Sequence, residues 1–202
     1  MPLTLVIESA TPALSVALID RGNVVGRFHE VVGRGHAERL MPAIATLLNH
    51  RRPDTILVDC GPGSFTGIRV GIAAALGLRL GWSVPAAGFS SLALIAAGRG
   101  PRTGPFAVAI EGGHGEIFVQ RFRDAGTPDG SFASMTPAAA AVAITDHDVF
   151  GSGAAALVQQ RGSGAAHPAM PDAAHAAALP ADACRLAPVP LYGRAPDARP
   201  RA

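Results

Sequence analysis

Residues 60–71 read CGPGSFTGIRVG, with four glycines and one proline, and follow the apolar run TILVDC at 55–60. The apolar run predicts a buried strand and the pattern after Thr66 predicts a helix, so the glycines connect the two. Glycine permits backbone conformations and close approaches that other residues do not, and Pro62 stiffens the turn. The stretch therefore either holds an anion such as phosphate at the start of the helix or packs closely against another chain segment.

Two familiar phosphate-binding motifs are excluded. A Walker A loop needs a lysine, and all 17 basic residues of this chain are arginine. The spacing of Gly61, Gly63 and Gly67 is GxGxxxG, which differs from the GxGxxG of dinucleotide-binding proteins. GPGSFTG is not the GxSxG elbow of a serine nucleophile, and Thr66 is the predicted N-cap of the helix.

The predicted helix carries a stripe of small residues. Gly67, Gly71 and Ala75 are spaced i, i+4 and i+8, and Ile68 begins an adjacent apolar row. Each glycine in a soluble helix costs about 0.5–1 kcal/mol relative to alanine, which indicates a packing requirement. The stripe fits a helix buried in its own core and an interface with a second helix equally well.

The rest of the first half predicts an α/β unit. Three strands are expected at 3–8, 14–20 and 23–30. A helix in HAERLMPAIATLLNH (36–50) has an apolar face of Leu40, Ile44, Leu47 and Leu48. Pro42 is tolerable there only in the first helical turn. The strand and helix succession predicts a mixed sheet with parallel crossovers.

The composition of GRGPRTGP at 98–105 predicts a boundary between an N-terminal lobe, 1–100, and a C-terminal part, 101–202, that holds a smaller, degenerate lobe and the tail. VIES at 6–9 and AIEG at 109–112 suggest an internal duplication, with a chance match as the alternative. The Pro/Ala-rich segment from 162 to 180 is predicted to be irregular. Tyr192 and Arg194 are expected to tie the tail back onto the body.

Bulk properties limit the functional classes. The chain has 202 residues, 49% of them hydrophobic and 16% charged, which is typical of a globular protein. A net charge of +2 does not support autonomous nucleic-acid binding, although a local arginine patch can help a complex hold RNA. The two cysteines form no disulfide framework, and neither a signal peptide nor a membrane-length apolar run is evident, so a cytoplasmic protein without membrane association is predicted.

The motif GPGSFTGIRVG, with ESATPALSVAL and HAERLMP before it and PAAGFSSLALIA after it, resembles the bacterial TsaB (YeaZ) family over residues 1–97. The resemblance implies an actin/Hsp70-like α/β fold with two related lobes and a role in making threonylcarbamoyl-adenosine in tRNA. It implies a degenerate, non-catalytic relative of the TsaD transferase, which the chain binds and activates as a heterodimer. A TsaE-like ATPase and tRNA join that complex, and a homodimer is an option when the partner is absent.

The resemblance also assigns residues. Partner-binding helices at 36–50 and 66–81 imply an interface formed by His36, Leu40, Ile44, Leu47, Gly67, Ile68, Gly71 and Ala75. The signature loop consists of Gly61, Pro62, Gly63, Ser64, Phe65, Thr66, Gly67 and Arg69, of which the arginine could meet a partner carboxylate or phosphate. Glu8 and Ser9 are candidates for a vestigial phosphate loop, with Glu111 as the apparent counterpart of Glu8, although the family usually has Asp at that position.

No catalytic residue, metal site or required cofactor is predicted. The HxxxH metal pair of catalytic relatives is missing, because Leu40 stands four residues after His36. ATP or ADP at the heteromeric interface is the nucleotide site that the resemblance allows. The alternative is an actin-fold small-molecule kinase or ATPase, and a protease is disfavoured because neither a zinc site nor a triad is evident.

Overall fold

The computed structural model describes residues 3–100, 104–123 and 127–193. Part of the predicted 98–105 linker, residues 101–103, therefore lies outside the described residues, as does Arg194. The described chain forms two five-stranded sheets.

The first sheet has the strand order β3-β2-β1-β4-β5. Its strands are β1 (Thr4–Glu8), β2 (Ala13–Asp20), β3 (Asn23–Val31), β4 (Thr55–Asp59) and β5 (Ala86–Phe89). Three helices accompany it, namely α1 (His36–Leu48), α2 (Phe65–Trp82) and α3 (Ser91–Gly98). The three predicted strands and both predicted helices are confirmed, and β1 pairs in parallel with β4 as the crossover pattern requires.

The second sheet repeats this order as β8-β7-β6-β9-β10. Its strands are β6 (Phe106–Gly113), β7 (Glu116–Phe122), β8 (Ala133–Met135), β9 (Asp148–Phe150) and β10 (Ala165–His167), with helices α4 (Pro137–Ala143) and α5 (Ala154–Arg161). In both sheets the first two strands are antiparallel and the first strand pairs in parallel with the fourth. The duplication is therefore present in the topology, and the predicted actin/Hsp70-like α/β fold with two related lobes is confirmed.

The predicted correspondence between Glu8 and Glu111 is wrong, because the two side chains point to opposite faces of their sheets. Side chains alternate between the two faces of a strand. Ile7 packs with α1 and α2, so Glu8 faces the side of the sheet that α3 covers. In β6 it is Ile110 that faces α3, so Glu111 points to the opposite side and is exposed. Ile110 therefore occupies the face that corresponds to that of Glu8.

Helix α3 lies between the two sheets. Helices α1 and α2 cover one face of the first sheet, where they bury Leu5, Ile7 and Val58. The opposite face, with Val6 and Ala17, packs against α3 and a 3₁₀ helix, Ala173–Ala178. Other residues of α3 lie in one apolar cluster with four phenylalanines of the second sheet, Phe106, Phe118, Phe122 and Phe150. Helix α3 therefore contributes to a separate apolar cluster on each sheet and connects the two lobes.

Three local predictions need correction. Pro42 lies in the second turn of α1, where its missing N–H leaves the carbonyl of Glu38 without a helical donor. Both residues are exposed, so water can donate to that carbonyl instead. Helix α2 begins one residue earlier than expected and its N-cap is Ser64, not Thr66. The 162–180 segment is only partly irregular, because β10 pairs with β9 and Asp172 caps the 3₁₀ helix by accepting from the Ala174 amide at 2.9 Å.

The small-residue stripe of α2 packs inside its own lobe. A Cβ atom at Gly67 would overlap the carbonyl oxygen of Ser9, and one at Gly71 would overlap the Ser9 hydroxyl. That hydroxyl donates a hydrogen bond to the carbonyl of Gly67 at 2.9 Å. Of the two alternatives that the sequence left open, the structure therefore supports burial in the protein's own core.

Gly67→Ala should reduce the free energy of unfolding by about 1–3 kcal/mol, because the added methyl group must displace backbone of the neighbouring loop. Gly77→Ala is the matched control in the same helix, where a Cβ meets nothing within 4 Å. It should stabilise the protein by about 0.5–1 kcal/mol through helix propensity. Urea denaturation of both variants measures the difference, and equal effects would contradict the packing argument.

Candidate functional site

The glycine loop lies at the carboxyl end of the first sheet, between β4 and α2. Gly61 has φ of 99°, a left-handed conformation that favours glycine. The side chain of Ser64 accepts a hydrogen bond from the amide of Gly67 at 3.3 Å and thereby caps α2. The position of the loop thus follows from the end of one strand and the cap of one helix.

The loop packs on the segment that follows β1. The amide of Ser64 donates to the carbonyl of Ala10 at 2.6 Å, and a Cβ atom at Gly63 would overlap the same carbonyl. The glycines of the signature loop therefore allow two backbone segments to touch. Glu8 and Ser9, the predicted phosphate-loop remnants, are buried beneath this contact.

A cleft of about 620 Å³ opens between the two lobes beside this loop. Its walls are largely apolar, with a few polar groups from each lobe. Residues that line it include Thr11, Gly63, Phe65, Glu111, Ser152 and Tyr192. The cleft is a concave site of the size that small ligands occupy.

An aromatic cluster stands at one side of the cleft. The rings of Phe65 and Tyr192 stack with their centroids 5.2 Å apart. The Nε atom of Arg69 donates to the Tyr192 hydroxyl at 2.9 Å, and its guanidinium lies 3.6 Å from the Phe65 ring centroid. Arg69, for which the sequence allowed a partner carboxylate or phosphate, instead contacts Tyr192 and Phe65 of its own chain. The expectation that Tyr192 ties down the tail is confirmed.

The segment leading to Tyr192 forms a strap, residues 186–192, across the edge of the first sheet. Leu186 and Gly88 exchange two backbone hydrogen bonds, at 2.7 and 3.1 Å, which extends the sheet beyond β5. The amide of Leu191 donates to the carbonyl of Cys60 at 2.7 Å. The strap covers Cys60, and burial raises the pKa of its thiol to about 12.

Two carboxyl groups are buried at the strand ends beneath the loop. Glu8 ends β1 and Asp59 ends β4, with exposed fractions of 0% and 1%. Burial raises the pKa of Glu8 well above its ordinary value, and the charge of Asp59 raises it further. Burial likewise raises the pKa of Asp59 to about 7, although hydrogen bonds from Gly61 and Ser91 oppose the shift. Sequence reasoning missed Asp59; the available signal was that two predicted strands both end in an acidic residue, in VIE and LVD.

The residues assigned to a partner interface are mostly not at the surface. Seven of the eight are buried, namely His36, Leu40, Ile44, Gly67, Ile68, Gly71 and Ala75. Leu47 is half-buried against the same core. Their side chains face the protein's own sheet, so direct contact with a partner would have to come from other residues of the same two helices.

His36 links α1 to the loop after β1. Its Nε2 atom lies 2.9 Å from the carbonyl oxygen of Thr11 and 3.1 Å from that of Ala13. Because both neighbours are acceptors, Nε2 carries the proton and donates. His36 therefore has a structural role at the start of α1. Among the residues that the structure describes, no three metal-ligating side chains converge.

The outer faces of α1 and α2 expose a different set of residues. The apolar residues among their exposed positions, here called the α1–α2 outer surface, are Ala37, Met41, Ala45, Ala73, Gly77 and Leu80. Met41 is 46% exposed and Leu80 is 80% exposed. Large exposed apolar groups beside small residues are typical of a surface on which another helix packs closely.

Comparisons with known proteins agree with this architecture. The family model for TsaD, the tRNA N6-adenosine threonylcarbamoyltransferase, matches residues 24–144. Escherichia coli TsaB is 39% identical over 128 residues. YeaZ from Pseudomonas aeruginosa aligns with a TM-score of 0.76 and 29% identity, over 89% of this chain and 90% of that one. The chain belongs to the TsaB (YeaZ) family.

The extent of the similarity differs among the relatives. The match to Escherichia coli TsaB covers 59% of this chain and 54% of that protein, so the chain spans about half the length of this curated relative. An uncharacterized protein of Mycobacterium tuberculosis H37Rv is 32% identical over 98% of this chain and 94% of its own length. In the described residues no helix combines the length and apolarity needed to cross a membrane.

Tyr192→Ala should make Cys60 more accessible, because the strap loses the aromatic stack that holds its end against α2. An aromatic pair contributes about 0.5–1.5 kcal/mol, which corresponds to a rise of about twofold to tenfold in the labelling rate of Cys60. The rate is measured with a thiol reagent in a Cys184→Ser background, because Cys184 is also a free thiol. Tyr192→Phe keeps the ring stack and loses the hydrogen bond from Arg69, so the labelling rate should rise less. An unchanged rate in Tyr192→Ala would contradict the role of the stack and would mean that the pairing of Leu186 with Gly88 alone holds the strap over Cys60.

Proposed function

We propose that this chain acts in tRNA threonylcarbamoyladenosine biosynthesis as a non-catalytic subunit that binds and activates a TsaD-type transferase. Membership of the TsaB family supports the process, because three curated relatives are named for it. The single observation that carries the subunit role is the α1–α2 outer surface. Its exposed Met41 and Leu80 stand in rows with exposed alanine and glycine, an arrangement that would suit close packing of a partner helix.

The geometry of this surface fits a pair of partner helices. Ala37, Met41 and Ala45 are spaced i, i+4 and i+8, so they form one row along α1. Ala73, Gly77 and Leu80 form a corresponding row on α2, which packs beside α1 on the same face of the sheet. Small side chains let a partner helix approach, and Met41 and Leu80 provide apolar area to bury.

A TsaD-type subunit is the partner that the family relation favours. The TsaD family model matches residues 24–144 of this chain, a range that includes both helices. Two chains with related lobes can pair through the same helices about an approximate twofold axis. The same surface would serve a homodimer when the partner is absent, and a TsaE-like ATPase and tRNA would join the heterodimer.

The described interior supports a non-catalytic role. The buried Glu8 and Asp59 lie beneath backbone and not in the cleft. Arg69 and His36 are engaged in internal hydrogen bonds. We therefore propose that this chain requires no cofactor of its own, with ATP or ADP confined to the interface between subunits.

A nucleotide-dependent kinase or ATPase is the second candidate, and the interlobe cleft of about 620 Å³ is the observation that favours it. The chain has no lysine to contact phosphates, so a nucleotide would depend on backbone amides and arginine. Calorimetry with magnesium and ATP separates the two candidates. Tight binding by the isolated chain would support the enzyme, and no detectable heat would remove it.

Reconstitution on unmodified tRNA tests the main proposal. The reaction contains the enzyme that makes the threonylcarbamoyl adenylate, a TsaD-type transferase and a TsaE-type ATPase, with and without this chain. Threonylcarbamoyl-adenosine should form only when the chain is present. Equal product in its absence would contradict the activating role.

Met41→Asp combined with Leu80→Asp should weaken binding of the TsaD-type subunit by about 30-fold or more, the effect of losing a central apolar contact at an interface. Val142→Asp is the matched control, because Val142 is 84% exposed on α4 in the other lobe. The control should leave affinity unchanged. Titration calorimetry measures binding, and thermal midpoints of both variants check that they fold; equal affinities would move the interface away from this surface.

A further inference from the structure

Glu8 and Asp59 lie side by side in the first sheet. Strands β1 and β4 are parallel neighbours, and Ile7 stands opposite Val58 in their register. The next residue of each strand is the carboxylic acid, and side chains at matched positions of parallel strands point to the same face. Both carboxyl groups therefore enter the interior on the α3 side, one strand spacing apart.

Each carboxyl group has one satisfied oxygen. Oε1 of Glu8 accepts from the Ala10 amide at 2.9 Å and from the Thr11 hydroxyl at 3.4 Å. Oδ1 of Asp59 accepts from the Gly61 amide at 2.6 Å and from the Ser91 hydroxyl at 2.8 Å.

The other two oxygens, Oε2 of Glu8 and Oδ2 of Asp59, are buried and have no hydrogen-bond partner among the described residues. Buried acceptors without a donor are strongly unfavourable. One proton between the two carboxyl groups would satisfy both oxygens at once.

We propose that Glu8 and Asp59 share a single proton at neutral pH, held between Oε2 and Oδ2, and that this pair ties the ends of β1 and β4 together. The satisfied oxygens of the pair hold the amides of Ala10 and Gly61. Those residues begin the two loops whose later members, Thr11 and Gly63, line the interlobe cleft. The shared proton thus holds one wall of the cleft in place.

The groups around the pair leave it without an ion-pair partner in the described chain. Helix α3 contributes the Ser91 hydroxyl and no titratable side chain within Ser91–Gly98. Cys60 stays a neutral thiol, because its pKa is raised to about 12. On the 3₁₀ segment that covers this face, Asp172 pairs with Arg27, and burial lowers the pKa of His175. The 186–191 part of the strap carries no titratable residue.

The pH dependence has a definite sign. Burial raises the pKa of both carboxyl groups, that of Asp59 to about 7. The folded protein therefore binds more protons than the unfolded chain between the ordinary carboxyl pKa near 4 and the raised values. The contribution of the pair to stability is complete below this window and is lost as the pH rises through it.

Glu8→Gln tests the proposal. The Nε2 amide of the introduced glutamine side chain can donate to Oδ2 of Asp59, and because this amide does not titrate, it can take the place of the shared proton at every pH. Urea unfolding is followed from pH 5 to 8.5 for the wild type, Glu8→Gln and Glu111→Gln, the last being the same substitution at an exposed carboxylate in the second lobe. The wild type and Glu111→Gln should lose stability as the pH rises. Glu8→Gln should show a flatter profile and, at pH 8, a ratio of folded to unfolded protein at least about tenfold above the wild type.

Two further measurements keep the test decisive if Glu8→Gln fails to fold. Carbon-13 NMR of the wild-type carboxyl groups should show one shared protonation above pH 6, and two groups that titrate near pH 4 would overturn the proposal. Stability at pH 8 is also measured with increasing magnesium or potassium. If a cation stabilises the wild type saturably and Glu8→Gln abolishes the effect, a bound cation and not a shared proton holds the two oxygens together, and the proposal is overturned. The absence of such stabilisation supports the shared proton.

Discussion

The contact between the glycine face of α2 and the backbone after β1 is the constraint on which the first lobe depends. Gly63, Gly67 and Gly71 leave no room for side chains where they meet residues 9 and 10. This contact brings the helix down onto the sheet, and it buries Ile68 and Ala75 in the core. The two acidic strand ends, Glu8 and Asp59, lie at the same end of the sheet with their side chains toward α3, so the contact lies next to the buried carboxyl groups.

Sequence patterns predicted most of the fold because they act locally. The largely apolar runs of β1 and β2, the glycine connection and the apolar face of α1 are local patterns, and the elements that they predict are all present. The same patterns could not decide what the small-residue stripe of α2 packs against, since a core and an interface have the same requirement for small side chains. The repeat was visible in VIES and AIEG, but its one-residue shift in phase appears only once the packed faces are known.

The candidate site was less predictable because it depends on contacts between distant residues. Phe65 and Tyr192 are 127 positions apart in numbering and stack in the structure. Asp59 meets Glu8 only through the pairing of β1 with β4. The exposed rows on α1 and α2 lie away from the predicted apolar faces, which pack on the sheet. The family resemblance could therefore suggest the two helices, but only the structure shows which of their residues are exposed.

The strap bears on how the chain folds as it is made. The first sheet is encoded within residues 4–89, yet the outer side of β5 and the covering of Cys60 come from residues 186–192. During synthesis the first lobe must wait for nearly the whole second lobe to be added before its edge is paired. An unpaired edge strand can pair with other chains. The order of synthesis therefore leaves this edge unpaired from the completion of β5 until residues 186–192 have been added, and the lobe is open to aggregation during that interval.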